Sequence, residues 1–211
     1  MASRTKENIL KAALEVFAEK GEHGTRMEEI ALRAKANKAM VYYYYNSREN
    51  LYYEVLKTIL CKLFTTVGDR IDEVMENSDD PMEQIAEISR TYSRLFMENQ
   101  SWFRIMLEAL SGKTDHISRI VREFVAEGVV LPVKFQKILE NGIKKGKFRK
   151  IDFGHFINAF MGLHLSFYVI RPIFTTFMEF DEEEQREFLK QRETIIPDIL
   201  FYGIAEKGAA K

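Results

Sequence analysis

The sequence predicts an all-α fold with a small three-helix head, residues 1–46, and a larger helical body, residues 47–211. Three observations lead there. Apolar residues recur at spacings of three and four along most of the chain, the period of a helix that buries one face. No stretch combines strict two-residue alternation with hairpin turn residues. Helix starts are marked at Thr25 with Glu28, at Asp80-Pro81 with Glu83, and at Asp181 with Glu184, where a side-chain oxygen can take the unpaired amides of a first turn.

The first helix is expected from Lys6 to Lys20, with Ile9, Leu10, Ala13, Leu14 and Phe17 as its stripe and Gly21 as its stop. A short second helix opens at Thr25 and buries Met27, Ile30 and Ala31. A break at 35–37 leads to a third short helix from Lys38 through Tyr45. Ser47 caps a fourth, to about Thr65, that turns Leu51, Val55, Ile59 and Leu63 inward. Asp80 caps a fifth with Ile85, Ile88, Tyr92, Leu95 and Phe96 inside, and a sixth surrounds Trp102–Leu110. From Thr114 to Lys145 one helical pattern continues with Pro132 inside it, which predicts a kink. Asp152 caps a helix ending before Pro172, and Asp181 opens the last one.

The chain has 211 residues, 46% hydrophobic and 30% charged, with 4 Pro and 11 Gly, a composition that excludes collagen-like and wholly disordered chains. A single cysteine, Cys61, excludes a disulfide framework and suits a reducing compartment, the cytoplasm. Set among Leu60, Leu63 and Phe64, it reads as a buried, inert thiol. The longest apolar run, Phe156–Ile170, falls short of the roughly 20 residues of a membrane span, and the start carries no signal-peptide pattern. The net charge is −1, but residues 1–53 hold nine Lys/Arg against seven Asp/Glu, so a basic head sits on an acidic body.

Two short helices joined by a tight break, with a helix packed across them, form the layout of a helix-turn-helix unit. Its third helix displays Lys38, Tyr42, Tyr43 and Tyr44, with Arg48 at the next helix start. Lys and Arg neutralise phosphate charge, and a tyrosine hydroxyl donates to phosphate oxygen while its ring packs on sugar. Tyr45 is in phase with Val41 and belongs to the packing face. The alternative is a solvated surface helix.

The stretches Ile9-Leu10-Lys-Ala-Ala13-Leu-Glu-Val-Phe17-Ala-Glu-Lys-Gly21, Gly24-Thr25-Arg-Met-Glu-Glu-Ile30-Ala31 and Lys38-Ala-Met-Val-Tyr42-Tyr-Tyr-Tyr-Asn-Ser47-Arg48-Glu49-Asn-Leu51 resemble the N-terminal signature of the TetR family of bacterial regulators. Residues 8–52 carry the likeness. The resemblance implies DNA contacts from Thr25, Lys38, Tyr42, Tyr43 and Arg48, a homodimer on a palindromic double-stranded operator, and a body that binds a small-molecule effector. Ala39 and Met40, which the resemblance also places at the DNA, stand where the family commonly has Gly and Thr, and Met40 offers only apolar contact, such as with a thymine methyl. Lys35 stands where the family often has Gly in the turn.

Past residue 55 composition carries the reading. Fifteen of sixteen phenylalanines lie beyond residue 53, seven of them between 153 and 180, more than a simple helical core uses. Either an apolar cavity, a large dimer seam, or both would absorb them. Phe96, Met106, Phe124, Phe160, His164 and Tyr168 are expected to line a pocket for a hydrophobic or aromatic effector, with His164 and Tyr168 as its polar points. A core histidine is the plainer reading of His164. Phe160, Phe188, Ile195, Ile196 and Ile199 are expected in the dimer seam. A ligand-independent regulator, whose body only dimerises or docks a protein partner, is the alternative. Neither a nucleophile motif, a phosphate loop nor paired metal-ligand spacing occurs, so the reading is of a regulator that needs no enzyme chemistry, cofactor or metal.

Overall fold

The structure, a computed structural model, describes residues 2–112, 115–128 and 131–204. The described residues form ten helices: α1 (Ala2–Gly24), α2 (Met27–Arg33), α3 (Lys38–Tyr45), α4 (Arg48–Asn77), α5 (Pro81–Glu98), α6 (Gln100–Ser111), α7 (His116–Ala126), α8 (Leu131–Lys144), α9 (Phe153–Met178) and α10 (Glu182–Ile204). They make two compact units, one of Met1–Leu63 and Asn99–Val129, the other of Phe64–Glu98 and Val130–Lys211. The head expected at residues 1–46 lies within the first unit, which also takes the first half of α4 together with α6 and α7.

In the first unit α1 packs on α2, α3 and α6. Ile9, Ala13, Val16 and Phe17 of α1 are buried with Ile30 of α2, Val41 of α3 and Leu51, Val55 and Ile59 of α4. Phe17 meets Tyr52 edge to face at 5.1 Å, a favoured aromatic geometry. Glu123 of α7 accepts from the Tyr53 hydroxyl at 2.6 Å and from Lys57 at 2.7 Å, both on α4. The lysine hydrogen bond, then that of the tyrosine, hold its carboxyl down at about 2.

The second unit is built around α5, whose buried face of Ile85, Ile88, Tyr92, Leu95 and Phe96 meets α8, α9 and α10. Asp80 accepts from Met82 N–H at 3.0 Å and Asp152 from His155 N–H at 3.2 Å. Asp181 and Glu184 form the reciprocal cap that opens α10. Phe135 of α8 meets Phe156 at 5.6 Å and Phe160 at 4.9 Å.

Five local expectations are corrected. The cap of α2 falls at Arg26, whose N–H donates to Glu29 at 3.4 Å, because the Thr25 hydroxyl is turned inward to Gly21. The pattern over 114–145 does not kink at Pro132. It divides into α7 and α8 near Gly128, at φ 84°, and Pro132 sits in the first turn of α8, where a missing N–H leaves no bond unmade. The helix α4 runs on to Asn77. The helix α9 continues through Pro172 to Met178, with Thr175 and Thr176 hydroxyls donating to the Arg171 and Pro172 carbonyls. At 26 residues it is long and apolar enough to cross a membrane by length and composition, and within the second unit it buries Phe156, Phe160, His164 and Phe167. Cys61 is exposed, since Leu56, Ile59, Leu60 and Leu63 occupy the inward phase of α4.

Candidate DNA interface

The turn between α2 and α3 is tight. Lys35 holds φ 51°, a left-handed conformation that costs a residue with a Cβ about 1–2 kcal/mol. Asn37 then caps α3, accepting from Ala39 N–H at 2.9 Å. Eight residues give two turns of helix, and their phase divides the tyrosines. Val41 and Tyr45 face inward, 0% and 4% exposed, and the Tyr45 hydroxyl donates to the Lys6 carbonyl at 3.1 Å. Tyr42 and Tyr43 face outward, 42% and 79% exposed. Lys38 and Ala39 are exposed beside them, and Met40 is half-buried. Five of the seven predicted DNA residues therefore share the outer side of α3.

Lys38 is not idle in the free protein. Its ammonium pairs with Glu28 of α2 and lies 5.7 Å from the centroid of the Tyr42 ring. The hydrogen bond to Glu28 raises the lysine above its ordinary value and lowers the glutamate. Both partners are more than half exposed, so a phosphate can compete for the lysine at little cost.

The other two residues sit deeper. Thr25 is 1% exposed and its hydroxyl donates to the Gly21 carbonyl at 2.7 Å. Its side chain fixes the entry into α2. Arg48 is half-buried, with Nη1 at 3.4 Å from the His23 carbonyl and 3.5 Å from the Thr25 carbonyl. Its Nε is buried with no hydrogen-bond partner among the described residues. This arginine braces the stretch between α1 and α2. No short-range spacing rule signals the role of Arg48, because it joins residues more than 20 positions apart in sequence.

Of the residues expected to bind an effector, Phe96, Phe160, His164 and Tyr168 come together in the second unit. Tyr92 adds its ring to them, 5.2 Å from Phe160 and 5.6 Å from His164. Phe96 lies 6.1 Å from Tyr168. Met106 and Phe124 are buried in the first unit. His164 is 2% exposed, with Nδ1 at 2.7 Å from the Phe160 carbonyl and Nε2 at 3.1 Å from the Ser89 hydroxyl. Its ring is thus bonded within the protein. Of the expected seam residues, Ile195 and Ile199 are each 50% exposed, whereas Phe160 and Ile196 are 0% and 2% exposed and face the chain's own core. Phe188 is half-buried among Phe167, Phe174 and Phe180.

Residues 9–55 match the family model for bacterial regulatory proteins of the tetR family. The chain is 29% identical over 148 residues to the HTH-type transcriptional repressor NicS of Pseudomonas putida, covering 70% of this chain and 68% of the relative. It is 32% identical over 151 residues to the HTH-type transcriptional regulator RutR of Escherichia coli, covering 65% and 69%. Among solved structures, the hemolysin II transcriptional regulator HlyIIR superposes with a TM-score of 0.62 at 25% identity over 98% of this chain and 99% of that one. The TetR family regulator PfmR of Thermus thermophilus gives 0.68 at 20% identity, over 92% and 97%. Transcriptional regulation, not catalysis, is what these named relatives share. With its signature over the three head helices and relatives along most of its length, the chain belongs to the TetR family of DNA-binding transcriptional regulators.

Proposed function

We propose that the protein is a homodimeric repressor that binds a palindromic operator and is released by a hydrophobic or aromatic small molecule. The observation that carries the reading is the apolar surface left uncovered on α9 and α10. Ile173 and Phe177 of α9 and Ile195, Ile199 and Tyr202 of α10 are 50% to 87% exposed. A groove of about 520 Å³ borders the two helices, lined by Ala159, Leu163, Ile199 and Leu200, with Asn158, Ser166 and, from the segment before α9, Arg149 as polar points. One two-turn recognition helix reads few base pairs, and helix-turn-helix proteins lengthen their sites by pairing two heads across a two-fold axis. A second copy on α9 and α10 supplies the other head. Repression follows the name of the relative NicS, and an operator on the chromosome implies a cytoplasmic protein.

The cluster of Tyr92, Phe96, Phe160 and Tyr168 favours an effector rich in apolar or aromatic surface, since sugar hydroxyls or phosphates would go unpaired there. Release requires the effector to prefer a conformation whose heads no longer match the operator, because equal affinity for both shifts nothing. The test is a set of hydrophobic and aromatic compounds added to the protein bound to a duplex that it selects from a random pool. Compounds that raise the melting temperature should lower DNA affinity. Stabilisation without release, or release by none, favours the ligand-independent regulator.

A further inference from the structure

The backbone of α1 breaks at Gly21, where φ is 72° and ψ is 175°. Such a break strands a donor, because the next N–H no longer faces a carbonyl one turn back. The stranded donor is Glu22 N–H, and a side chain from α6 takes it. The Glu108 carboxylate accepts it at 2.9 Å through Oε1 and 3.2 Å through Oε2. Tyr52 of α4, 1% exposed, donates its hydroxyl to the same carboxylate at 3.3 Å and to the Ile105 carbonyl at 3.1 Å. The fit leaves no room at residue 21, where a Cβ would sit 2.6 Å from Glu108 Oε1. Glycine is needed there for its φ and for the carboxylate alike.

The same stretch leads directly into the DNA-binding helices. Thr25 ties back to the Gly21 carbonyl, and Arg48 reaches the His23 and Thr25 carbonyls at longer distances. Arg26 then caps α2, on which α3 packs. A shift of the Gly21–Glu22 break therefore tilts α2 and α3 together.

We propose that Glu108 is a positioning residue for DNA binding, fixing from α6 the break in α1 that sets how the helix-turn-helix meets its operator. Glu108 itself carries the wrong charge to hold DNA. Removing it cannot weaken the sequence-independent attraction of the head for phosphates, which follows from charge. It can weaken only the specific complex, which needs α3 in register with base edges.

The full chain is titrated with two probes at one salt concentration: the duplex that the wild type selects from a random pool, and a scrambled duplex of the same composition. Glu108→Ala should lose about tenfold or more in affinity for the selected duplex and none for the scrambled one, so the ratio of the two falls. Glu108→Gln, whose amide oxygen still accepts from Glu22 N–H, should restore most of the ratio. Should the alanine variant not fold, Glu108→Asp decides, because it keeps the charge but withdraws the oxygens by one methylene and should also lower the ratio. An unchanged ratio, a parallel loss on both probes that tracks the folded fraction, or a glutamine variant no better than alanine overturns the proposal.

Discussion

Acidification isolates one side chain of the second unit, His164. Its Nε2 faces both the hydroxyl and the carbonyl of Ser89, the carbonyl at 3.0 Å, so burial rather than the choice of partners decides its protonation state. With a neutral ring, Nδ1–H donates to the Phe160 carbonyl at 2.7 Å and Nε2 accepts from the Ser89 hydroxyl at 3.1 Å. Burial at 2% exposure pushes the imidazole down to about 4, against the smaller upward pull of the Phe160 and Ser89 carbonyls. An unfolded histidine titrates near 6.5. Between the two values the unfolded chain binds a proton that the folded one refuses, so stability is complete above pH 6.5 and is lost as pH falls toward 4. At about 1.4 kcal/mol per pH unit the loss approaches 2 kcal/mol at pH 5 and about 3 kcal/mol at pH 4. Carboxylates also titrate in this window, so the measurement is a difference. Urea unfolding of the wild type and of His164→Gln, at fixed protein concentration and at pH 7 and pH 5, should give stability differences that change by about 2 kcal/mol between the two pH values. A difference that stays constant refutes the reasoning, and with it the neutral, buried state of the ring.

Lys38→Ala should leave the fold intact and make the fall of log affinity with log salt shallower by about 0.9, one phosphate's worth of counterion release; fluorescence anisotropy over a salt series reads it, and an unchanged slope removes the contact. Ile199→Asp puts a charge on the uncovered α10 face without touching the chain's own core, and light scattering should find monomers; an undisturbed dimer places the seam elsewhere. Gly142→Ala drives a Cβ into the buried Phe148 ring, overpacking that costs about 1–3 kcal/mol. Thermal unfolding should show a drop of roughly 2–4 °C per kcal/mol, and an unchanged melting temperature shows that the Phe148 ring can move aside.

The parts of the head legible in the sequence are those decided within one or two turns of chain. The phase of α3 separates Val41 and Tyr45 from Tyr42 and Tyr43 because a period of 3.6 leaves one arrangement. The caps at Asp80, Asp152 and Asp181 are read correctly for the same reason, each being closed by residues two or three positions on. Thr25 and Glu28 have capping-box spacing too, yet Thr25 bonds back to Gly21 and Glu28 goes to Lys38. Thr25 is drawn off by a carbonyl four residues back and Glu28 by a side chain of α3, and the cap passes to Arg26 and Glu29. Arg48 was legible as a basic residue at a helix start. Its hold on the His23 and Thr25 carbonyls was not, since nothing at residue 48 signals how close residues 23–25 come.

The body was less legible for a different reason. Apolar pattern marks a buried residue but does not say which chain buries it. Along α9 and α10 the core and the surface left for a partner both read as Phe and Ile. Ile195 and Ile196 are neighbours of one type, but Ile196 is 2% exposed and Ile195 50%, a distinction set by which side of α10 meets α5 and α9. The same ambiguity covers Phe160, which no seam can reach without unpacking Phe135 and Phe156 from around it. A residue that holds its own unit together would couple dimerisation to unfolding. Residues already outside, Ile195 and Ile199, would let the chain fold first and pair afterwards. On that ground the dimer seam should tolerate substitution at Ile199 with loss of assembly alone, whereas Phe160→Ala should lower stability by about 3–5 kcal/mol whatever the oligomeric state.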